Sequence, residues 1–335
     1  MNKTLVCYHR DMDGWASAFA FWKKYKLDKK FAEAHGEVEY VSVQYGEPVP
    51  AVVETGGFTH IYVVDFSFSR EISDKLAKQF NFKTIDHHKT AEKELAGAPY
   101  LVYDATVSGA ELTWKTLHGS NPPLLIQYVG DYDLYKFALP NSREITTYLL
   151  QMGSDFEAWD NIDLDTALAE GTVLWKQIQN FAKFLHSRAG TAEYLGITTR
   201  TIDSPLVYNE AAQRALKAEA IPFAMVYRND GNKWIVGLRG DKGYDLSAVA
   251  CVMGGGGHFN AAGFTMTGNF DPVLVGKAVL SAFHAIFVGR MTGRSARQFA
   301  EMQLMPLGIY QLSPYVDFDM PEPPAQPEAD VETDK

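Results

Sequence analysis

Nine residues of the sequence are of types that could do chemistry. His9, Asp11 and Asp13 fall within one five-residue stretch, Asp65 follows an apolar run, and Asp86, His87 and His88 are consecutive. Asp131 and Asp133 stand two apart in Val-Gly-Asp-Tyr-Asp-Leu. Singly, each aspartate reads as a cap or turn residue, and isolated histidines such as His35, His60, His118, His186 and His284 read as packing or surface residues. Together, carboxylates repel one another and raise each other's pKa unless cations neutralise them. Convergence therefore requires metal. Imidazole mixed with carboxylate, without thiolate, favours Mn²⁺ or Mg²⁺ over structural zinc. Two such ions about 3.5–4 Å apart clamp a phosphoryl group and lower the pKa of a bridging water toward about 7. The expected chemistry is in-line attack of that water on phosphorus, with the growing charge on the equatorial oxygens neutralised.

The surrounding elements supply the reason to expect convergence. Residues 3–8 form a short β-prone run ending at the polar stretch 9–14, and Trp15, Ala18, Phe19 and Trp22 then recur at helical spacing. Further strands are predicted at 38–43, 60–64 and 82–85, with a helix over 70–80 that Ser69 caps. Ser108-Gly-Ala-Glu111 is a capping box opening another helix through about residue 117. Alternating strands and helices predict an α/β fold with a doubly wound, mostly parallel sheet. In such a sheet the carboxyl ends of the strands line the ligand crevice, and those ends are where His9, Asp65 and Asp86 fall. Asp131 and Asp133 follow a predicted helix and can close the cluster.

The second half reads differently. Residues 161–187 form a long helical region able to link two domains. Beyond about residue 190, two β-rich runs at 223–228 and 233–239 flank the turn Asn229-Asp-Gly-Asn232. A helix at 245–253, the glycine run 254–257, a strand at 263–266 and a terminal helix over 272–288 follow. From about residue 321 the chain is rich in Pro, Glu and Asp without periodicity, which predicts a disordered acidic tail.

Composition bounds the possibilities. At 335 residues and 46% hydrophobic, the chain has material for two ordinary domains without staples. Two cysteines far apart give neither a disulfide framework nor a zinc knuckle and fit a reducing cytoplasm. No stretch approaches the roughly 20 apolar residues of a membrane span. A net charge of −10 argues against a binder of long nucleic acid, which usually carries a basic footprint. It leaves room for a small anionic substrate, because metals reverse the field within one cleft.

The motifs HRDMDG, the aspartate of VVDFS, the DHH of TIDHHKT and the later GGGGHFNAAGF together resemble the DHH phosphoesterase superfamily. The glycine run resembles the subfamily with a DHH-associated C-terminal domain, which includes RecJ-type exonucleases, nano-RNases (oligoribonucleases), pAp phosphatases and cyclic-dinucleotide phosphodiesterases. The likeness spans roughly residues 3 to 290. It implies a catalytic domain at 1–160, a helical linker at 161–190, a smaller α/β substrate-binding domain at 191–292 with the active site in the cleft between the domains, and the tail at 321–335. It further implies that His9, Asp11 and Asp65 hold one ion and that Asp13, Asp65, His87 and Asp131 hold the other. Asp133 is the alternative to Asp131. His88 would face the scissile phosphate as hydrogen-bond donor or proton source, with Asp86 orienting the histidines.

For the second domain, the resemblance favours phosphate or ribose binding at Gly254, Gly255, Gly256, Gly257 and His258, over the competing reading of a flexible turn. Arg239 can fork onto a terminal phosphate. Arg228 and Lys242 are nearby alternatives, with solvation the safer reading of both. Tyr132 and Tyr135 are candidates for stacking a base, with packing the competing reading. The expected function is hydrolysis of short oligonucleotides or dinucleotides to mononucleotides with two divalent ions, Mn²⁺ before Mg²⁺. A phosphomonoesterase or phosphoanhydride hydrolase acting on pAp, pyrophosphate or polyphosphate is equally compatible with the metal cluster. A non-catalytic nucleotide or metal sensor is the alternative from another class.

Overall fold

A computed structural model describes residues 2–45, 47–206, 208–241 and 243–308, with the side chains of Tyr208 and His258 excepted. Lys242 and the acidic tail expected at 321–335 lie outside the described residues. The chain divides into two compact units between Trp175 and Lys176.

The first unit runs β1 (Lys3–His9), α1 (Met12–Leu27), α2 (Lys29–His35), β2 (Glu37–Val43), α3 (Val52–Thr55), β3 (His60–Val64), α4 (Arg70–Gln79), β4 (Asn81–Asp86), α5 (Lys89–Glu94) and β5 (Leu101–Tyr103). Helices α6 (Gly109–His118), α7 (Leu124–Asp133), α8 (Ser142–Leu149), α9 (Phe156–Asp160) and the 24-residue α10 (Leu164–Ser187) follow, and the division between units falls inside α10. All five strands are parallel, in the order β2-β1-β3-β4-β5. Successive residues of a strand face opposite sides. Leu5 and Cys7 accordingly join one buried cluster with Ile61, Val63 and Leu76, while Val6 and Tyr8 join another with Ala18, Phe21, Val64 and Ile85. Both faces are covered, which explains why β1 reads as a continuous apolar run rather than an alternation.

The strand order places a topological switch between β1 and β3. From β1 the chain crosses to β2 on one side, and from β3 it builds toward β4 and β5 on the other. Ligand crevices of open parallel sheets form outside the carboxyl ends of the strands at such a point. His9 ends β1, Asp65 directly follows β3, and Asp86 ends β4.

The second unit comprises β6 (Gly190–Tyr194), β7 (Ile197–Asp203), α11 (Tyr208–Ala218), β8 (Phe223–Asp230), β9 (Lys233–Gly240), α12 (Leu246–Val252), β10 (Gly256–His258), β11 (Ala261–Met266), α13 (Pro272–Phe283) and α14 (Gly293–Leu304). Its six strands lie in the order β10-β11-β9-β8-β7-β6, with only β7 and β8 parallel. Phe223 and Met225 face the core beneath α12 and α13, and Ala224 and Val226 face the one beneath α11.

Three sequence expectations change here. Asp131 and Asp133 do not follow a helix; they form the last turn of α7. The glycine run is not a free loop, because Gly256 and Gly257 belong to the edge strand β10, paired with β11. The terminal helix is α-helical only to Phe283, after which a widened π turn carries it over His284–Val288.

Candidate functional site

Motif residues of the first unit meet at the sheet switch. Asp11 is the N-cap of α1, accepting from the Gly14 backbone N–H at 2.9 Å. Its other oxygen lies 2.8 Å from Nδ1 of His9. Nε2 of His9 donates to Oε1 of Gln44 at 2.8 Å, and that oxygen also accepts from the Tyr45 N–H. Two donors on one oxygen fix the amide, and the amide fixes the tautomer. Nδ1 of His9 is therefore the ring nitrogen turned toward the carboxylates.

Asp65 is fully buried and sits at φ 55°, a left-handed conformation that a non-glycine residue rarely adopts. Its N–H holds the sheet through a 2.8 Å bond to the Ile85 carbonyl, so the strain aims the side chain out of the strand end. Oδ2 of Asp65 lies 3.7 Å from Nδ1 of His9, and Oδ1 lies 3.2 Å from Nε2 of His87. The first turn of α6 presses on this carboxylate so closely that a Cβ at Gly109 would collide with it. Asp13, also buried, accepts from the Gly109 and Ala110 N–H groups at 2.6 and 3.1 Å, using donors that the helix start leaves unpaired.

Nε2 of His87 is 3.7 Å from Asp13 and 3.6 Å from Asp133. Three overlapping donor groups result: His9, Asp11 and Asp65; Asp13, His87 and Asp133; and Asp65, His87 and His88. His88 belongs least to the ligand set, since its Nδ1 bonds Asp86 at 2.7 Å. Asp86 also accepts from the Ser67 hydroxyl at 2.6 Å and from the His87 and His88 N–H groups at 2.7 and 3.2 Å.

The structure separates the two aspartates of α7. Asp133 joins His87 and Asp13, whereas Asp131 turns away. Its oxygens accept from the Ala138 and Leu139 N–H groups at 2.8 and 3.2 Å, and its carbonyl accepts from Lys136 and Phe137. Asp131 is thus a clamp on the loop after α7, and Asp133 takes the position at the cluster that the sequence reading gave to Asp131. Tyr135 and Phe137, both at positive φ, lie in that clamped loop, and the Arg143 guanidinium covers the Phe137 ring at 3.5 Å. Tyr132, on α7, is partly buried against the core cluster that holds Ile126 and Val129.

The electrostatics report an excess of negative charge. Burial, reinforced by Asp13, raises the Asp65 carboxyl well above its ordinary range. Burial and the Asp13 charge push Asp133 up to about 8. Burial alone would lower His9, but the carboxylates of Asp11 and Asp65 beside it raise it to about 11. Against burial, the bond from His88 holds Asp86 below its ordinary value. Both oxygens of Asp65, Nδ1 of His9 and Nε2 of His87 are buried without a hydrogen-bond partner among the described residues. Buried polar atoms are nearly always paired. Four unpaired donor atoms of one cluster, rimmed by carboxylates, are what a site for divalent cations requires.

In the second unit a cleft of about 510 Å³ is lined by Arg228, Arg239, Gly254, Gly255, Gly256 and neighbouring residues of β9 and β11. Arg239 is already held there: Nε donates to Asn209 at 2.7 Å and Nη1 to the Leu238 carbonyl at 2.9 Å. Gly255 and Gly257 are required by packing, since a Cβ on either would strike β11, while Gly256 faces open space. The side chain of His258 lies outside the described residues.

Residues 194–285 match the DHHA1 domain. The fold of the rest agrees with solved DHH proteins. The DHH domain of a member of the s1p family of ribosomal proteins superposes with a TM-score of 0.55 at 13% identity, covering 93% of this chain and 88% of that one. Residues 194–285 thus carry a DHHA1 domain, and the chain shares the fold of solved DHH proteins. RecJ from Thermus thermophilus, solved in complex with Mn²⁺, gives a TM-score of 0.53 at 15% identity over 85% of this chain and 52% of that one. The chain therefore spans about half the length of that RecJ. Its sequence is also 22% identical over 285 residues to an uncharacterized protein, R106, of Acanthamoeba polyphaga mimivirus, covering 79% of this chain and 68% of the relative.

Proposed function

We propose that this protein is a two-metal phosphoesterase that hydrolyses phosphodiester bonds of short oligonucleotides or dinucleotides to mononucleotides. One observation carries the reading: the unpaired, buried donor atoms of His9, Asp65 and His87 at the sheet switch. His9, Asp11 and Asp65 would hold one divalent ion, and Asp13, Asp65, His87 and Asp133 the other, with Asp65 shared. Such ions, Mn²⁺ or Mg²⁺, would neutralise the carboxylates, polarise the phosphoryl oxygens and lower the pKa of the attacking water. RecJ has been solved with Mn²⁺, and an oxygen-rich donor set with imidazole suits that ion.

The protein's own groups divide the remaining work. Asp86 accepts a hydrogen bond from Nδ1–H of His88, fixing the ring so that Nε2 is the atom free to exchange a proton with substrate. As water adds to phosphorus and the ester P–O bond breaks, the proton needed by the leaving oxygen comes from His88. Asp86 remains charged throughout and stabilises the imidazolium. Arg228, Arg239 and Gly254–Gly256 offer a small anion-binding cleft, and the net charge of −10 disfavours a long polyanion. No helix among the described residues is long and apolar enough to cross a membrane.

The test is a product profile with Mn²⁺ and with chelator, over a dinucleotide, a short oligoribonucleotide, long single-stranded DNA, pAp, pyrophosphate and polyphosphate. Mononucleotide release that is fastest from the shortest diesters supports the reading. Phosphate release from pAp, pyrophosphate or polyphosphate without diester cleavage replaces it with the monoester or anhydride reading. No turnover on any of them leaves a sensor.

A further inference from the structure

Tyr45, on the loop after β2, has no part in the donor set, yet its ring stands among the site residues. Ring centroids lie 5.5 Å from His9 and 6.1 Å from His88, both edge-on. Phe66, the residue after Asp65, backs the ring at 4.4 Å with 34° between the planes. The Tyr45 backbone N–H donates to Oε1 of Gln44 at 3.0 Å, the same oxygen that holds His9. Even so, the residue is 46% exposed. A large aromatic side chain that is backed by Phe66, flanked by the His9 and His88 rings and still open has its orientation settled before anything binds. Its ordering entropy is spent in folding, which is the condition for tight stacking by a planar ligand.

We propose that Tyr45 is a nucleobase platform: the base of a nucleotide whose phosphate is bound at the cluster beside the His9 and His88 rings stacks on the open face of the Tyr45 ring. This rests on the phosphoesterase reading and adds a specificity element to the same site. The rings of His9 and His88 pack edge to face at 5.7 Å and border the cluster where the phosphate must react, so an aromatic surface touching both is within one nucleotide's span of it. Stacking accepts any base, because every base has a π face, and contributes about 1–3 kcal/mol. The site then selects nucleotides over base-free phosphates without selecting sequence. It also follows that pyrophosphate and polyphosphate, which have nothing to stack, gain nothing from this residue.

The experiment measures binding of AMP and of ribose 5-phosphate to the full chain loaded with Mn²⁺, in wild type, Tyr45→Ala and Tyr45→Phe, with Mn²⁺ binding followed separately. Tyr45→Ala should weaken AMP by roughly 5- to 100-fold while ribose 5-phosphate and Mn²⁺ binding stay within about twofold. Tyr45→Phe keeps the ring and should retain AMP affinity. Equal weakening of AMP and ribose 5-phosphate, a fall in Mn²⁺ affinity, or AMP binding indifferent to Tyr45→Ala would each overturn the platform. A wild-type protein that cleaves dinucleotides but binds AMP no better than ribose 5-phosphate loses the platform and keeps the phosphoesterase reading. A protein without Mn²⁺-dependent cleavage of any phosphoester loses that reading itself.

Discussion

Asp65 and Arg239 are both charged residues at strand ends facing clefts, and the two units treat them in opposite ways. Asp65 is fully buried at a strained φ, with neither oxygen hydrogen-bonded among the described residues. Arg239 is tied to Asn209 and to the carbonyls of Leu238 and Ala262. The cluster around Asp65 carries an electrostatic cost that bound cations or protons relieve, whereas Arg239 is already held by hydrogen bonds of its own. Loss of a residue in the cluster should therefore act on chemistry and metal content. Loss in the second unit should act on folding or on substrate affinity.

The largest effect should come from Asp65→Asn. Metal-dependent turnover is expected to fall on the order of 1,000-fold, while the metal-free protein melts at a higher temperature because a buried unpaired charge is gone. A variant that is inactive and also less stable without metal would mean that Asp65 is structural.

Next come the two aspartates of α7. Asp133→Asn should remove one of two Mn²⁺ equivalents in a direct titration. Asp131→Ala should keep both and lose about 1–3 kcal/mol of stability, since two loop N–H groups lose their acceptor. An exchange of these two outcomes would restore Asp131 as the ligand.

In the second unit, Gly255→Ala forces a Cβ into β11 and should cost about 1–3 kcal/mol. Gly256→Ala enters open space and should change stability by no more than about 0.5 kcal/mol. Chemical denaturation of the two variants distinguishes them, and any rise in KM with Gly256→Ala at unchanged stability marks the cleft as a substrate contact.

The smallest effect concerns pH. Asp133 is raised to about 8, so the fold favours its protonated form. That contribution is full below the ordinary carboxylate pKa and is lost as pH rises toward 8. His9, raised to about 11, acts in the same direction above its ordinary value of about 6.5. The gain in melting temperature given by Mn²⁺ should consequently be greater at pH 8 than at pH 6, because the ions compete with protons at the cluster. A gain that does not change with pH would remove Asp133 from the ligand set.

Local signals carried much of the fold. The caps Ser69 and Ser108 form as the sequence predicts, and β1 to β4 follow from short apolar runs ending in polar residues. The hairpin of β6 and β7 is not legible in the sequence, because its turn is Leu195-Gly196, with Leu195 at φ 50°. Leucine carries no turn signal, so nothing local marked the reversal. The packing need of Gly255 and Gly257 was equally hidden, because it depends on β11, a partner that the glycine run does not specify by itself.

The sequence by itself determined which aspartates and histidines gather at the sheet switch, since strand ends in an α/β sheet converge there. Only the tertiary structure decided between Asp131 and Asp133. Two residues apart on a helix are turned about 200° from each other, so one faces the cluster and the other faces away. Which one does so is set by how α7 rotates when Ile126 and Val129 bury against α1 and α6, and that rotation is a property of packing, not of the local sequence.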